Sequence, residues 1–562
     1  GTIIAIAIGA AVMLIIAANY HYMINRYPDS GGAFTYAKKI FGFDHAFLCA
    51  WFLWIAYISL IWANATAFVL IGRNLFGDFF HRGFCYNVFD YDIYFGEIVF
   101  TFMMITLFGI IGTQKKILVS RLNTFLALGF FLVGMVLVSA VFGESKGFEI
   151  FSPAFSEDGQ PLVQVCKIVA LTPWAFIGFE VISHATEELN FSIKKSFKVM
   201  ASAIITAALF YSAMTTLAVS VVPENFFNWQ KYVDNLHKLE GFDAIPTLHA
   251  AYQTFGSTGI FILGVVVLAA LSTSMIGYYF ATSRLTYFIA KENLLPKRFA
   301  ALNSENIPEK VLFLIMAISL FIPFVGRTAI GWLTDVTTVG AVIAYTYTSA
   351  CTYKVAKKSG DWKFKITGAL GTVFSAMFAI LLLVPNLVVP SFWETSTLMT
   401  ESYFILVVWS ILGFAAFKRI FSHDELHRFG KAVIVWIVML FFIFFGALMW
   451  MRQSIDDSIG RIITNISDLY EGELSRFGIK LHAYRQMQEE QYLKAQMEEV
   501  RTTLFRGSMI QMILIMASLF IMFSIYSTIR SRERNAELAR LRAEENSRAK
   551  STFLFSMSHD IR

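Results

Sequence analysis

Pro173 to Lys195 reads PWAFIGFEVISHATEELNFSIKK. It continues an apolar run from Val163, with Gly178 in the middle of that run and Glu180 just beyond. Glycine tolerates backbone conformations closed to other residues, so a helix can break at Gly178 and leave backbone groups free. The alternative is close helix packing by a small residue. A carboxylate in hydrocarbon is costly, so Glu180, like Asp335 further on, either lines a cavity or pairs internally. His184 falls at the end of the run, where an interfacial histidine needs no role.

The same apolar character extends over the whole chain. Of 562 residues 56% are hydrophobic and only 15% charged, against roughly 25% charged in soluble globular chains. About 20 apolar residues cross a bilayer as a helix. Thirteen stretches qualify: 3–24, 46–72, 92–112, 118–142, 163–184, 199–221, 258–282, 311–326, 328–352, 366–389, 402–417, 433–450 and 509–528. This excludes soluble domains. It also excludes a porin-like barrel, whose signal is alternating segments of about ten residues. The net charge of +6 is spread over loops and does not point to nucleic acid. Cys49, Cys85, Cys166 and Cys351 show no paired spacing, so neither a disulfide framework nor a zinc site is suggested.

Basic residues stay on the cytoplasmic side of a membrane. Alternate loops carry Lys38/Lys39, Lys115/Lys116/Arg121, Lys194/Lys195/Lys198, Lys291/Lys297/Arg298 and Lys354/Lys357/Lys358/Lys363/Lys365. The opposite loops carry fewer, so the first helix runs inward and the tail after Thr528 is cytoplasmic. All prolines fall between Pro28 and Pro390, which leaves the remainder free to form long helices. Residues 431–528 then read as a sensor module of two membrane helices around an outside helical segment, 453–507. Residues 529–562 read as a charged cytoplasmic helix with Leu538 and Leu541 spaced as in a coiled-coil seam. Arg530, Arg532 and Arg534 suit anionic headgroups.

Three passages resemble the amino acid–polyamine–organocation (APC) superfamily of amino acid permeases. RYPDSGGAFTYAKKIFG (Arg26 to Gly42) is similar to the loop after that family's second helix. The passage from Pro173 resembles its sixth helix with an FxGFE signature. ALSTSMIGYYFATSRLTYFIAKENLLPKRF (Ala270 to Phe299) resembles its eighth helix and following loop, with Asn293 in place of Gly. The resemblance covers residues 1–420 in order and implies an all-α, leucine-transporter-type inverted-repeat bundle of family helices 2–12, beginning after the first. It implies a substrate site at Phe176, Gly178, Phe179 and Glu180, and an amino acid or amine ligand. Hydroxyls of Ser272, Thr273 and Ser274 match a helix that helps bind sodium in coupled relatives. The bland reading is back-bonding within the helix. No Lys occurs from Leu122 to Val141, so the lysine that replaces sodium in some proton-coupled relatives is missing. Coupling to sodium or to protons stays open.

The tail ends in Lys550-STFLFSMS-His559-Asp560-Ile561-Arg562, which resembles the phosphoacceptor box of sensor histidine kinases. An imidazole is a usable nucleophile at neutral pH, and an adjacent carboxylate can fix its tautomer. The resemblance implies that His559 accepts phosphate, that Asp560 orients it, and that the parent chain binds ATP and Mg beyond Arg562 and acts on a response regulator. Residues 1–562 hold no nucleotide loop and no cofactor is expected of them, so phosphate transfer by them alone is not expected. The resulting expectation is a sensor kinase with a permease-like input domain, dimeric through its coiled coil, in a bacterial inner membrane. The alternative is a secondary amino acid or amine transporter with a regulatory extension.

Overall fold

The structure is a computed structural model that describes residues 1–88, 91–145, 147–156, 160–189, 191–236, 239, 241–383, 398–424, 428–429, 432–476, 507, 510–511 and 513–548. In chain order the helices are α1 (Thr2–Arg26), α2 (Ala33–Phe41), α3 (Phe43–Phe76), α4 (Phe95–Ile111), α5 (Lys116–Glu144), α6 (Pro161–Phe176), α7 (Ser196–Ser220) and α8 (Trp229–Asp234). They continue as α9 (Pro246–Lys291), α10 (Glu309–Ser319), α11 (Ala329–Ser359), α12 (Trp362–Leu383), α13 (Thr400–Ser422) and α14 (Ala432–Arg476). The last is α15 (Ile513–Arg548). A short hairpin, β1 (Cys85–Val88) and β2 (Tyr91–Tyr94), pairs antiparallel with Cys85 opposite Tyr94.

Ten helices among the described residues are long and apolar enough to cross a membrane, and a pair bent by 110°, Glu309–Phe324 with Gly326–Ser359, makes an eleventh. The chain is a multi-pass, all-α membrane bundle. The expectation of thirteen spans is corrected at two places. The stretches 311–326 and 328–352 are the arms of the bent pair, because the chain turns at Gly326, whose φ is +68°. The stretch 92–112 begins in β2, and its helix, Phe95–Ile111, is 17 residues long, about 26 Å at 1.5 Å per residue.

The chain divides into two compact units. The first, Gly1–Ser402 with Arg428–Lys431, packs α11 against α12 and α3, α9 against α3 and α5, and α1 against α6 and α7. One of its cores joins Leu137 and Val141 of α5 to Leu217 of α7 and Leu263 of α9. Contacts of this kind replace a hydrophobic driving force that hydrocarbon does not supply between helices.

The second unit, Tyr403–His427 with Ala432–Arg562, joins α13, α14 and α15. Val407 of α13, Ile443 and Ala447 of α14 and Leu514 of α15 form its core. Trp436 lies against Phe414 and Phe417 with ring centroids 4.3 and 5.0 Å away. Lys418 donates to Ser524. The two-helix receptor module expected at 431–528 is therefore not separate, because α13 packs with α14 and α15. Helix α14 runs unbroken from Ala432 to Arg476, past the end expected at residue 450. No coiled coil is evident among the described residues, in which α15, the helix carrying Leu538 and Leu541, is single. His559 and Asp560 lie outside the described residues, as does most of segment 453–507 beyond Arg476.

Candidate functional site

Helix α6 ends where its sequence makes continuation expensive. Pro173, inside the helix, has no N–H to give the preceding turn, and the Thr172 hydroxyl donates to Val169 O at 2.6 Å. Ile177 leaves the helical region with ψ 138°. Gly178 follows at φ +119°, where a side chain would be strained. The chain resumes as short 3₁₀ turns, Phe179–His184 and Thr186–Glu188.

A break in a span frees polar backbone groups that lipid cannot satisfy. Here hydroxyls from other helices and the nearby Glu180 carboxylate satisfy them. The Tyr211 hydroxyl donates to Ala175 O at 2.6 Å, and that of Tyr278 to Ile177 O at 2.8 Å. The Gly178 N–H donates to Glu180 Oε2 at 2.9 Å.

Glu180 is the centre of the arrangement and is 0% exposed. Its Oε1 accepts from Tyr57 of α3 at 3.1 Å, and its Oε2 also accepts from Tyr345 of α11 at 3.3 Å. His184 Nε2 lies 3.4 Å from the Tyr57 hydroxyl, and its Nδ1 lies 3.3 Å from Ser30 O. Beside the carboxylate, the Phe179 ring sits 5.9 Å from Tyr20 of α1 and 5.7 Å from Tyr345. The ring of Phe176 meets Tyr211 edge-on at 5.9 Å. The result is a buried carboxylate within an aromatic shell, beside a helix end whose backbone is held by tyrosine hydroxyls.

All three sequence passages converge here. The Ser30 hydroxyl, in the loop after α1, lies 3.0 Å from Thr186 Oγ1 and accepts from Glu187 N at 3.0 Å. Asp29 Oδ1 organises that loop by accepting from Gly31 N at 3.0 Å and Thr35 Oγ1 at 3.2 Å. The third passage supplies Tyr278. Residues 176, 178, 179 and 180 thus lie together at the break. Sequence reading passed over Tyr20, Tyr57, Tyr278 and Tyr345, and gave His184 no role. The available signal was a tyrosine hydroxyl inside a span, which needs a partner when buried.

Ser272, Thr273 and Ser274 make other bonds. Ser272 Oγ donates to Leu268 O at 2.7 Å and Thr273 Oγ1 to Ala270 O at 2.9 Å. Ser274 Oγ accepts from Asn64 Nδ2 at 2.8 Å. Among the described hydrogen bonds none ties them to Glu180. Asp335 is placed elsewhere as well: its Oδ2 accepts from Met399 N and Ser402 Oγ, both at 2.7 Å. That carboxylate closes a backbone turn.

Residues 1–400, which hold the whole of this arrangement, match the amino acid permease family. The chain belongs to that family. The permease is 21% identical over 413 residues to an uncharacterized transporter of Bacillus subtilis, covering 70% of this chain and 82% of that protein. It is 23% identical over 387 residues to the branched-chain amino acid permease of Lactococcus lactis, covering 64% of this chain and 75% of the relative. A methylthioribose transporter of Bacillus subtilis is 22% identical over 350 residues, covering 60% and 69%. The family match ends at residue 400, and these relatives give no support to the kinase expected from the tail. They support a secondary transporter of the APC type in a bacterial inner membrane.

Proposed function

We propose that the permease carries amino acids or related amines, with the break at Ile177-Gly178 as the substrate site. The observation that carries this reading is the convergence on one broken helix, inside the family-matched region, of Glu180, Phe176, Phe179 and the tyrosine hydroxyls of α3, α9 and α11. Half-helix ends and freed carbonyls are how transporters of this kind address small polar substrates near the midplane. An ammonium group suits a carboxylate in an aromatic shell, since aromatic faces attract cations. The relative named for branched-chain amino acids supports the class. The relative named for methylthioribose makes a non-amino-acid cargo the competing outcome.

The experiment is uptake of a radiolabelled amino-acid mixture by proteoliposomes under an inward sodium or proton gradient, with methylthioribose alongside. Uptake of an amino acid or amine that stops in Gly178→Ala supports the proposal. Uptake of methylthioribose alone overturns it. The gradient that drives uptake also names the coupling ion, with Ser272, Thr273 and Ser274 as sodium candidates.

A second reading attaches to the tail, where Lys550 to Arg562 keeps the spacing of a phosphoacceptor box. In it, cargo occupancy biases the helices between states, and α14 and α15 pass that bias to His559, oriented by Asp560. In its native membrane, His559→Gln then abolishes phosphate incorporation from labelled Mg·ATP without changing cargo binding. Acid-labile label that persists in the variant contradicts this reading.

A further inference from the structure

Segment Phe179–Glu188 carries Glu180 at one end and Glu188 at the other. Glu188 lies among the basic residues of the cytoplasmic loops and is held from two sides. Its Oε1 lies 2.5 Å from Arg284 Nη2 of α9, and its Oε2 lies 2.9 Å from Lys116 Nζ. Arg284 is only 5% exposed and is fixed independently, donating to Asn306 O at 2.9 Å with its guanidinium 5.5 Å from the Phe280 ring. Lys116 opens α5, where the helix dipole disfavours a cation and favours a carboxylate. Glu188 therefore neutralises a buried guanidinium and an ill-placed ammonium together. Ser30, through Glu187 N and Thr186 Oγ1, adds a neutral clasp on the same turn.

We infer that Glu188, Arg284 and Lys116 form an ionic latch that positions the segment after the break, and that the latch opens when cargo leaves towards the cytoplasm. Arg284 and Lys116 are posts on α9 and α5, and Glu188 is the part on the short 3₁₀ segment. Alternating access requires one part of the bundle to move against another around a fixed site. The segment joining Glu180 to Glu188 runs from the site to this face through the short turns Phe179–His184 and Thr186–Glu188. Arg284 and Glu188 are positioning residues, since neither touches the Glu180 cluster. The latch itself does not depend on the nature of the cargo, but its role in release rests on the transporter reading.

The test is hydrogen exchange of the full chain in lipid nanodiscs, followed at peptides covering 179–188, with Glu188→Gln, Arg284→Gln, Lys116→Gln and the Glu188→Gln/Arg284→Gln pair. Glu188→Gln leaves the buried Arg284 guanidinium without its carboxylate, whereas the double variant leaves no buried charge and only the more exposed Lys116 unpaired. Glu188→Gln and Arg284→Gln are each expected to speed exchange in 179–188 on the order of tenfold. Lys116→Gln, at the more exposed partner, is expected to do so by about twofold. The double variant should be no worse than either single one, and α1 and α3 should exchange as before. In proteoliposomes given the labelled amino-acid mixture, Glu188→Gln should change turnover while leaving the half-saturating concentration within about twofold. Unchanged exchange in 179–188 overturns the latch, as does a rise shared equally by α1 and α3. If the unaltered protein takes up no amino acid while the exchange pattern holds, the amino-acid reading of the cargo fails and the latch stands.

Discussion

Among the places where the first unit breaks an apolar helix at a glycine, Gly178 and Gly256 are not alike. Gly178 (φ +119°) lies among buried partners, with Tyr278 Oη 3.2 Å from where a Cβ would be. Gly256, inside α9, has φ +58° and ψ −145°, yet nothing lies within 4 Å of its Cβ position, and neighbouring Tyr252 and Phe255 are exposed. One break gathers a carboxylate and hydroxyls from other helices; the other only redirects the chain. A positive-φ glycine in a span marks a bend, and the polar groups that converge on it mark a site.

The largest effect is expected at Gly178→Ala. It combines left-handed strain of about 1–2 kcal/mol with a methyl 3.2 Å from Tyr278 Oη, which pushes that hydroxyl and weakens its bond to Ile177 O, a bond worth about 1–3 kcal/mol if broken outright. Substrate affinity should fall roughly a hundredfold, read as displacement of labelled amino acid from purified protein. Next comes Glu180→Gln. Three donors converge on this carboxylate; the amide oxygen can keep Gly178 N and Tyr345, but the Tyr57 hydroxyl must turn to accept from the amide nitrogen, and the negative charge is lost. Affinity should drop about tenfold, with Tyr57→Phe weaker because it removes a single donor.

Asp335→Ala sharpens the contrast between Glu180 and Asp335, both buried carboxylates within spans. It orphans Met399 N and Ser402 Oγ and should cost about 1–3 kcal/mol of stability, seen as a lower thermal midpoint, with affinity within twofold of the starting protein. The smallest effect belongs to Gly256→Ala. It pays local strain of about 1–2 kcal/mol with open space around the new methyl, so affinity should not change measurably. A large loss of affinity there would erase the distinction between the breaks.

The break in α6 is legible in sequence because its causes are local: Pro173, Gly178 and Glu180 lie within one short passage. Its partners are not, since Tyr57 and Tyr345 come from spans 123 and 165 residues away, and hydropathy says nothing about which face a tyrosine presents. Asp335 illustrates the same limit. A carboxylate in a span announces a need for partners, but Met399 and Ser402 lie beyond the next helix. The start of α4 was misread for another reason: Tyr91 to Tyr94 is aromatic enough to extend an apolar run, and periodicity cannot separate so short a strand from a helix. In α9, the stretch 258–282 omitted the first turns because Gly256 interrupts the helix in sequence while the chain continues helically on both sides. The serines and threonine at 272–274 show that hydroxyl spacing alone does not distinguish a cation site from helix back-bonding.

The most direct test of the account compares Gly178→Ala with Gly256→Ala in proteoliposomes loaded with the same labelled amino-acid mixture and driven by the same gradient. If the break at Gly178 is the substrate site, the first variant loses uptake at every concentration tested and no longer binds the labelled amino acid, while the second takes it up at close to the starting rate. Equal uptake by the two variants, or loss only in Gly256→Ala, would contradict a substrate site built on the broken helix.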